Sequence, residues 1–160
     1  MNEVEILKKI EKKVLWLACW MIHNANHIRE NQDGLKVGGH QASSASIVSI
    51  MSALYFSILR PEDRVAVKPH ASPVFHAIQY LSGLQTKEKI ENFRGFGGAQ
   101  SYPSRTKDID DVDISTGSVG LGVAMTSFIS LIQDYIARKK FYNNRQLGRM
   151  IALVGDAELD

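Results

Sequence analysis

The run Met150-Ile-Ala-Leu-Val154, leading into Gly155-Asp156-Ala-Glu-Leu-Asp160, constrains this chain more than any other stretch. A short apolar run of this kind reads as a buried strand. A Gly-Asp at its carboxyl end sits where open α/β sheets place their ligand chemistry. Gly155 lets the backbone come close to a ligand, and Asp156 offers a hard oxygen to a cation such as magnesium. A buried strand needs covering elements on its faces. The chain is therefore expected to be the front part of something longer.

The rest of the pattern supplies helices to flank such a strand. Between Val4 and about Arg29, Ile6, Leu7, Ile10, Val14, Leu17 and Met21 recur at steps of three and four, predicting a helix. A second is expected over Ser44 to Leu59, closed by Pro61. Val65-Ala-Val67 reads as a short buried strand. Pro73 to Leu81 reads as a helix capped by Ser72, and Thr86 to Phe93 as a short one capped by Thr86. Ile114-Ser-Thr116 reads as a strand end. Ser118 to Lys139 reads as a long helix, apolar over most of its circumference and expected to be central. Strands separated by helices predict an α/β fold, a parallel sheet with helices on both faces.

Composition narrows the partners. The 160 residues carry a net charge of +2, and their densest basic cluster, Arg138-Lys-Lys140, closes a helix, where cations complement the dipole. Nucleic acid would call for a basic stripe. The longest uninterrupted apolar run, Val14 to Ile22, is far short of a membrane span. Cys19 cannot form an internal disulfide and reads as a small core residue; the expected compartment is the cytoplasm.

Several loops carry residues suited to chemistry. Gly117-Ser-Val-Gly-Leu-Gly122 opens the long helix, where backbone N–H groups can bind an anion or a polar ligand edge. Its spacing is that of neither a dinucleotide fingerprint nor a phosphate loop, and glycines permitting close helix packing remain an alternative. His40 lies in a Gly-Gly-His loop before a helix, and His70 in a Lys-Pro-His-Ala-Ser-Pro segment after a strand. Both positions suit proton transfer or contact with a charged ligand, or else a surface role. His23 and His27 share a helix face without a third zinc ligand. His76 could line the same cleft as His70. Asp108, Asp110, Asp111 and Asp113 lack the glycine and glutamate of a calcium loop and read as a solvated acidic run.

The order of these motifs is more specific than any one of them. Gly-Gly-His-Gln-Ala-Ser, His-Ala-Ser-Pro, Asn92-Phe-Arg94, Gln100-Ser-Tyr-Pro103, Thr-Gly-Ser-Val-Gly-Leu-Gly and Gly-Asp-Ala-Glu-Leu-Asp follow one another. Together they resemble the amino-terminal, diphosphate-binding domain of the transketolase family of thiamine diphosphate enzymes. The resemblance is nearest to the homodimeric decarboxylase component of bacterial pyruvate dehydrogenase, and covers residues 5 to 160. It implies a thiamine diphosphate-binding fold, incomplete at its carboxyl end, with thiamine diphosphate and magnesium as cofactors. The implied substrate is a 2-keto acid; a ketose phosphate, as in transketolase itself, is the alternative, and a non-catalytic split subunit or remnant is another. By the same resemblance, His40 and His70 would be active-site histidines. Gly117, Ser118 and Val119 would meet the aminopyrimidine, and Gly155, Asp156 and Ala157 would open the metal motif, with Asp156 a magnesium ligand.

This sequence departs from the family at three places: Ala157 for glycine, Ser118 for the proline of transketolases, and His76 for a tyrosine. The asparagine that completes the metal motif and the glutamate that activates the cofactor are missing from these residues. The implied enzyme is a homodimer when full length, and the 160-residue chain alone is expected to be inactive without the remainder or a complementary chain.

Overall fold

Asn2 accepts the N–H of Glu5 at 2.9 Å, and the Glu5 carboxylate accepts the N–H of Asn2 at 3.2 Å, so a reciprocal capping box starts helix α1 (Glu3–His23). The computed structural model describes residues 2–31, 34–117, 120–141 and 146–158, at 157 the backbone alone. α1 buries Val14, Leu17, Ala18, Met21 and Ile22 on one side and ends in a π-helical turn, Asn24–Ile28. Helix α2 (Gln41–Ala53) ends the same way at Leu54–Ile58. The run Gln41–Ile58 is long and apolar enough to cross a membrane by length and composition alone. Here it is a packed helix, with Ile47, Val48, Met51 and Leu54 in the core.

Strand β1 (Arg64–Ala66) leads through a 3₁₀ turn (Pro69–Ala71) into helix α3 (Ser72–Leu81). Ser72 is the first helical residue, not the cap: the cap position is Ala71, and no side chain fills that role. Thr86 does cap helix α4 (Lys87–Glu91), accepting from Lys89 N–H. Helix α5 spans Leu121–Arg138, and strand β2 Met150–Ala152 pairs parallel to β1, Val65 opposite Ile151. Ile114 and Thr116, expected at a strand end, are buried but form no strand; the Thr116 hydroxyl instead donates to Val67 O at 3.1 Å.

Alternation along the strands sorts the layers. Val65 and Val67 join the main core with Phe75, Ile78 and Met21, and Ile151 and Leu153 pack beside them. Ala66 points to the other face, where a Cβ on Gly122 of α5 would lie 3.3 Å from its Cβ. Helices thus lie on both faces of a small parallel sheet, compatible with a piece of an α/β fold. Helix α5 is not central. Leu121, Met125, Phe128, Leu131, Ile132 and Tyr135 are all exposed, and among its described residues only Thr126 is buried. Cys19 is half-buried rather than a full core residue.

Candidate functional site

The turn that carries His40 is built from α1. Asn26 donates its side-chain N–H to Gly38 O (2.9 Å) and accepts Gly38 N–H (2.9 Å), gripping that peptide from both sides. Gly39 then adopts φ 135° against Ile22, where any Cβ would come within 2.8 Å of Cγ2. Only glycine passes that point without strain. His40 follows as the cap residue of α2, its side chain uncommitted to capping.

His70 arrives from the other side, in the turn after β1, and the two imidazoles stack with centroids 4.3 Å apart and planes 23° apart. Tyr102 approaches His70, ring to ring, at 6.2 Å. Arg94 completes the group: its Nη1 donates to Val37 O at 3.1 Å, while its buried Nε has no hydrogen-bond partner among the described residues. Arg94 itself sits at φ 61°, a conformation costly for a side-chain-bearing residue and typical of functional sites. Partial burial, with the neighbouring His70 ring and the Arg94 guanidinium, pushes the His40 imidazole below its ordinary range.

The parallel strands deliver a second group to the same sheet edge. Leu153 N–H donates to Ala66 O at 2.9 Å, so the segment after β2 runs out beside Val67 and Lys68. A Cβ on Gly155 would meet Lys68 Cε at 3.1 Å, Lys68 Nζ at 3.4 Å and Glu158 Oε1 at 3.8 Å. The Lys68 ammonium and the Glu158 carboxylate therefore flank Gly155. That Glu158 oxygen is buried and lacks a hydrogen-bond partner among the described residues. Asp156 is exposed, opening a 3₁₀ turn (Asp156–Glu158). Gly120, at φ 71°, caps α5 with Glu158 O only 2.8 Å from where a Cβ would stand. The start of α5 thus abuts the Gly155–Glu158 turn.

Of the residues expected at the site, His40 and His70 are in contact, and Gly155 and Asp156 stand at the adjoining strand end. Gly117 precedes the α5 start, and a Cβ there would stand 4.0 Å from Leu121 Cδ2. Ser118 and Val119 lie outside the described residues, as does the side chain of Ala157. Lys68 was missed, although its place as the last residue before Pro69-His70 was a usable signal. His23 and His27 lie ring to ring, centroids 4.9 Å apart and planes tilted by 35°, and with Asn26, Lys36 and Gly38 line a polar cavity of about 250 Å³.

Within the acidic run Asp111 is exposed, as expected, but Asp108, Asp110 and Asp113 are drawn into the fold. Asp113 accepts Val65 N–H (2.9 Å) and pairs with Arg64 (3.4 Å). Asp110 is buried against His76, which lines no cleft: His76 is fully buried, its Nδ1 2.6 Å from Asp110 Oδ2. Burial alone would lower the His76 pKa, but the hydrogen bond and charge of Asp110, with Asp108 behind it, overcome that and raise it. His76, Asp108 and Asp110 bring their donor atoms within 4.8 Å of one another, as a metal site would. However, His76 Nε2 donates to Gln100 O (2.9 Å), and both Asp108 oxygens accept backbone N–H groups. Those atoms are already engaged in a closed network.

The chain matches no protein-family model. It is similar to proteins named pyruvate dehydrogenase E1 component. With that of Buchnera aphidicola subsp. Schizaphis graminum it shares 26% identity over 162 residues, 96% of this chain and 18% of the relative. With that of Mycolicibacterium smegmatis the values are 25% over 170 residues, 99% and 18%. With that of Escherichia coli K12 they are 25% over 168 residues, 99% and 18%. The relationship is distant, and the chain spans under a fifth of the length of these relatives.

Proposed function

We propose that the chain is the amino-terminal, diphosphate-binding part of a transketolase-family, thiamine diphosphate- and magnesium-dependent enzyme acting on a 2-keto acid, similar to the decarboxylase component of pyruvate dehydrogenase. One observation carries this reading. The stacked His40–His70 pair and the Gly155-Asp156 turn stand at the carboxyl ends of two adjacent parallel strands, the location open α/β sheets use for ligands. The distant similarity to E1 components along nearly the whole chain supports it.

The donor set suits the group. Asp156, with the partnerless Glu158 oxygen nearby, is hard-oxygen chemistry fit for a divalent cation. Asp156 would hold magnesium. Lys68 and backbone N–H groups around Gly155 and the start of α5 would hold the diphosphate. Gly117, Ser118 and Val119 would face the aminopyrimidine. When bound, thiamine diphosphate supplies the electron sink that stabilises a carbanion next to a carbonyl. The chain's own groups bind, orient and move protons. His40, its pKa lowered, is neutral near pH 7 and can accept a proton at a ring nitrogen. His70 packs against it and fixes the ring plane, while the Arg94 cation favours an anionic substrate beside them.

The exposed apolar side of α5 favours a second reading, a split subunit that works only with a complementary chain. A cytoplasmic, reducing compartment suits the lone cysteine under either reading. Titration calorimetry of the chain with thiamine diphosphate tests the assignment. Magnesium-dependent binding, weakened in Asp156→Ala, is expected; affinity indifferent to both Asp156→Ala and His40→Ala would refute those roles. The chain alone is expected to turn over neither pyruvate nor a ketose phosphate.

A further inference from the structure

We infer that the buried His76–Asp110 pair, with Asp108, is a positioning device that holds Tyr102 against His70. This rests on the reading above only in taking the His40–His70 pair as part of the active site. Gln100 is held at both ends of its peptide groups: its N–H donates to Asp108 Oδ1 (3.0 Å) and its C=O accepts from His76 Nε2 (2.9 Å). Four residues on, Ser104 N–H donates to the other Asp108 oxygen at 2.8 Å. Between them, Pro103 is fully buried. The segment 100–104 is thereby staked at its start, middle and end, and Tyr102 is its projecting member, 38% exposed and 6.2 Å from His70.

The stakes are themselves braced. His76 sits in α3, between the rings of Phe75 and Phe93. Asp110 accepts from His76 Nδ1 through one oxygen and from Gln85 Nε2 through the other. With Nε2 donating to a carbonyl and Nδ1 to a carboxylate, the ring is a fixed two-ended strut, its charge compensated by Asp110. Burying such a pair is weak evidence for stability but can fix one conformation. Here α3 also begins just past His70, so one short helix orients both partners of the Tyr102–His70 contact.

The test is nuclear magnetic resonance of the 160-residue chain, reading the cross-peak between the Tyr102 and His70 rings. It is expected in the unaltered chain and in Tyr102→Phe. It is expected to disappear in Asp110→Asn and to weaken in Asp108→Asn, which keeps one of two acceptor oxygens, while the core signals of Phe75 and Met21 stay in place. Asp108 is only partly buried, so its variant keeps the experiment decisive if Asp110→Asn does not fold. An undiminished cross-peak in Asp108→Asn would overturn the inference. So would a collapse of the core signals in Asp108→Asn, since the network would then support the fold generally. No cofactor enters the readout, so failure to bind thiamine diphosphate would count against the proposed function and leave this inference standing.

Discussion

Asp63 and Arg149, 86 positions apart in sequence, form the joint that seats β2 beside β1. Asp63 Oδ1 accepts Arg149 N–H at 2.7 Å, and Oδ2 accepts Nε at 3.1 Å and Nη2 at 2.5 Å. Arg64 N–H then donates to Arg149 O at 2.9 Å, and the parallel register begins there. The far ends of the strands, with His70 and Gly155, inherit their alignment from this joint.

Replacing Asp63 by asparagine should lower the urea midpoint by more than the loss of an isolated exposed ion pair would, because three Arg149 contacts go with the charge. The Arg149 contacts hold the Asp63 carboxyl well below the usual carboxylate range. A depressed carboxylate contributes fully above its unfolded value of about 3.9 and loses that contribution as pH falls through the folded value. The gap between Asp63→Asn and the unaltered chain should therefore be constant at neutral pH and close in acid. A gap that widened in acid would contradict the geometry.

The buried His76 behaves oppositely. Its pKa is raised, so its contribution is complete below the unfolded value of about 6.5 and is lost as pH rises through the folded value. Urea midpoints should fall as pH rises past that unfolded value, and Asp110→Ala should cost about 3–5 kcal/mol by leaving the buried ring without its partner. A midpoint that did not fall with rising pH would refute a protonated His76.

His40 should titrate below a free histidine in a proton resonance titration, since desolvation, the stacked His70 ring and the Arg94 guanidinium all disfavour the charged form. His70→Gln should move the titration upward, and Arg94→Gln should do so by less. Indifference to both would mean that the rings do not meet in solution.

Gly39→Ala should destabilise the fold by about 1–3 kcal/mol, because the new methyl meets Ile22 in a backbone conformation that alanine resists. The same variant should disturb the His40 ring resonances. Wild-type stability together with unshifted His40 resonances would show that the turn tolerates a side chain.

Helix α5 exposes Leu121, Met125, Phe128, Ile132 and Tyr135 at alternating steps of four and three, a seam suited to another helix. Sedimentation velocity should show concentration-dependent association that Phe128→Gln with Ile132→Gln suppresses. An unaltered chain that stays monomeric throughout would remove that expectation.

Most helices, both strands and the order of the loops were legible along the chain, whereas the strand end expected at residues 114–116 does not form. Steps of three and four made α1 legible, Pro61 marked where α2 must close, and short apolar runs made both strands legible, because these signals follow from local backbone geometry. The expected ends near Arg29 and Leu59 fall at the close of the π turns that finish α1 and α2, whereas α2 starts at Gln41, three residues ahead of the expected Ser44. Tertiary structure decided which polar residues work together. Asp108, Asp110 and Asp113 look alike in sequence, yet two brace the segment bearing Tyr102 and one pins β1. Likewise α5 looked central because its composition is apolar, but composition records how much surface a helix must cover, and not which chain covers it. Pairings across 86 residues, as between Asp63 and Arg149, arise only when the chain closes on itself, because a hydrogen bond depends on distance in space and leaves no periodic trace along the sequence.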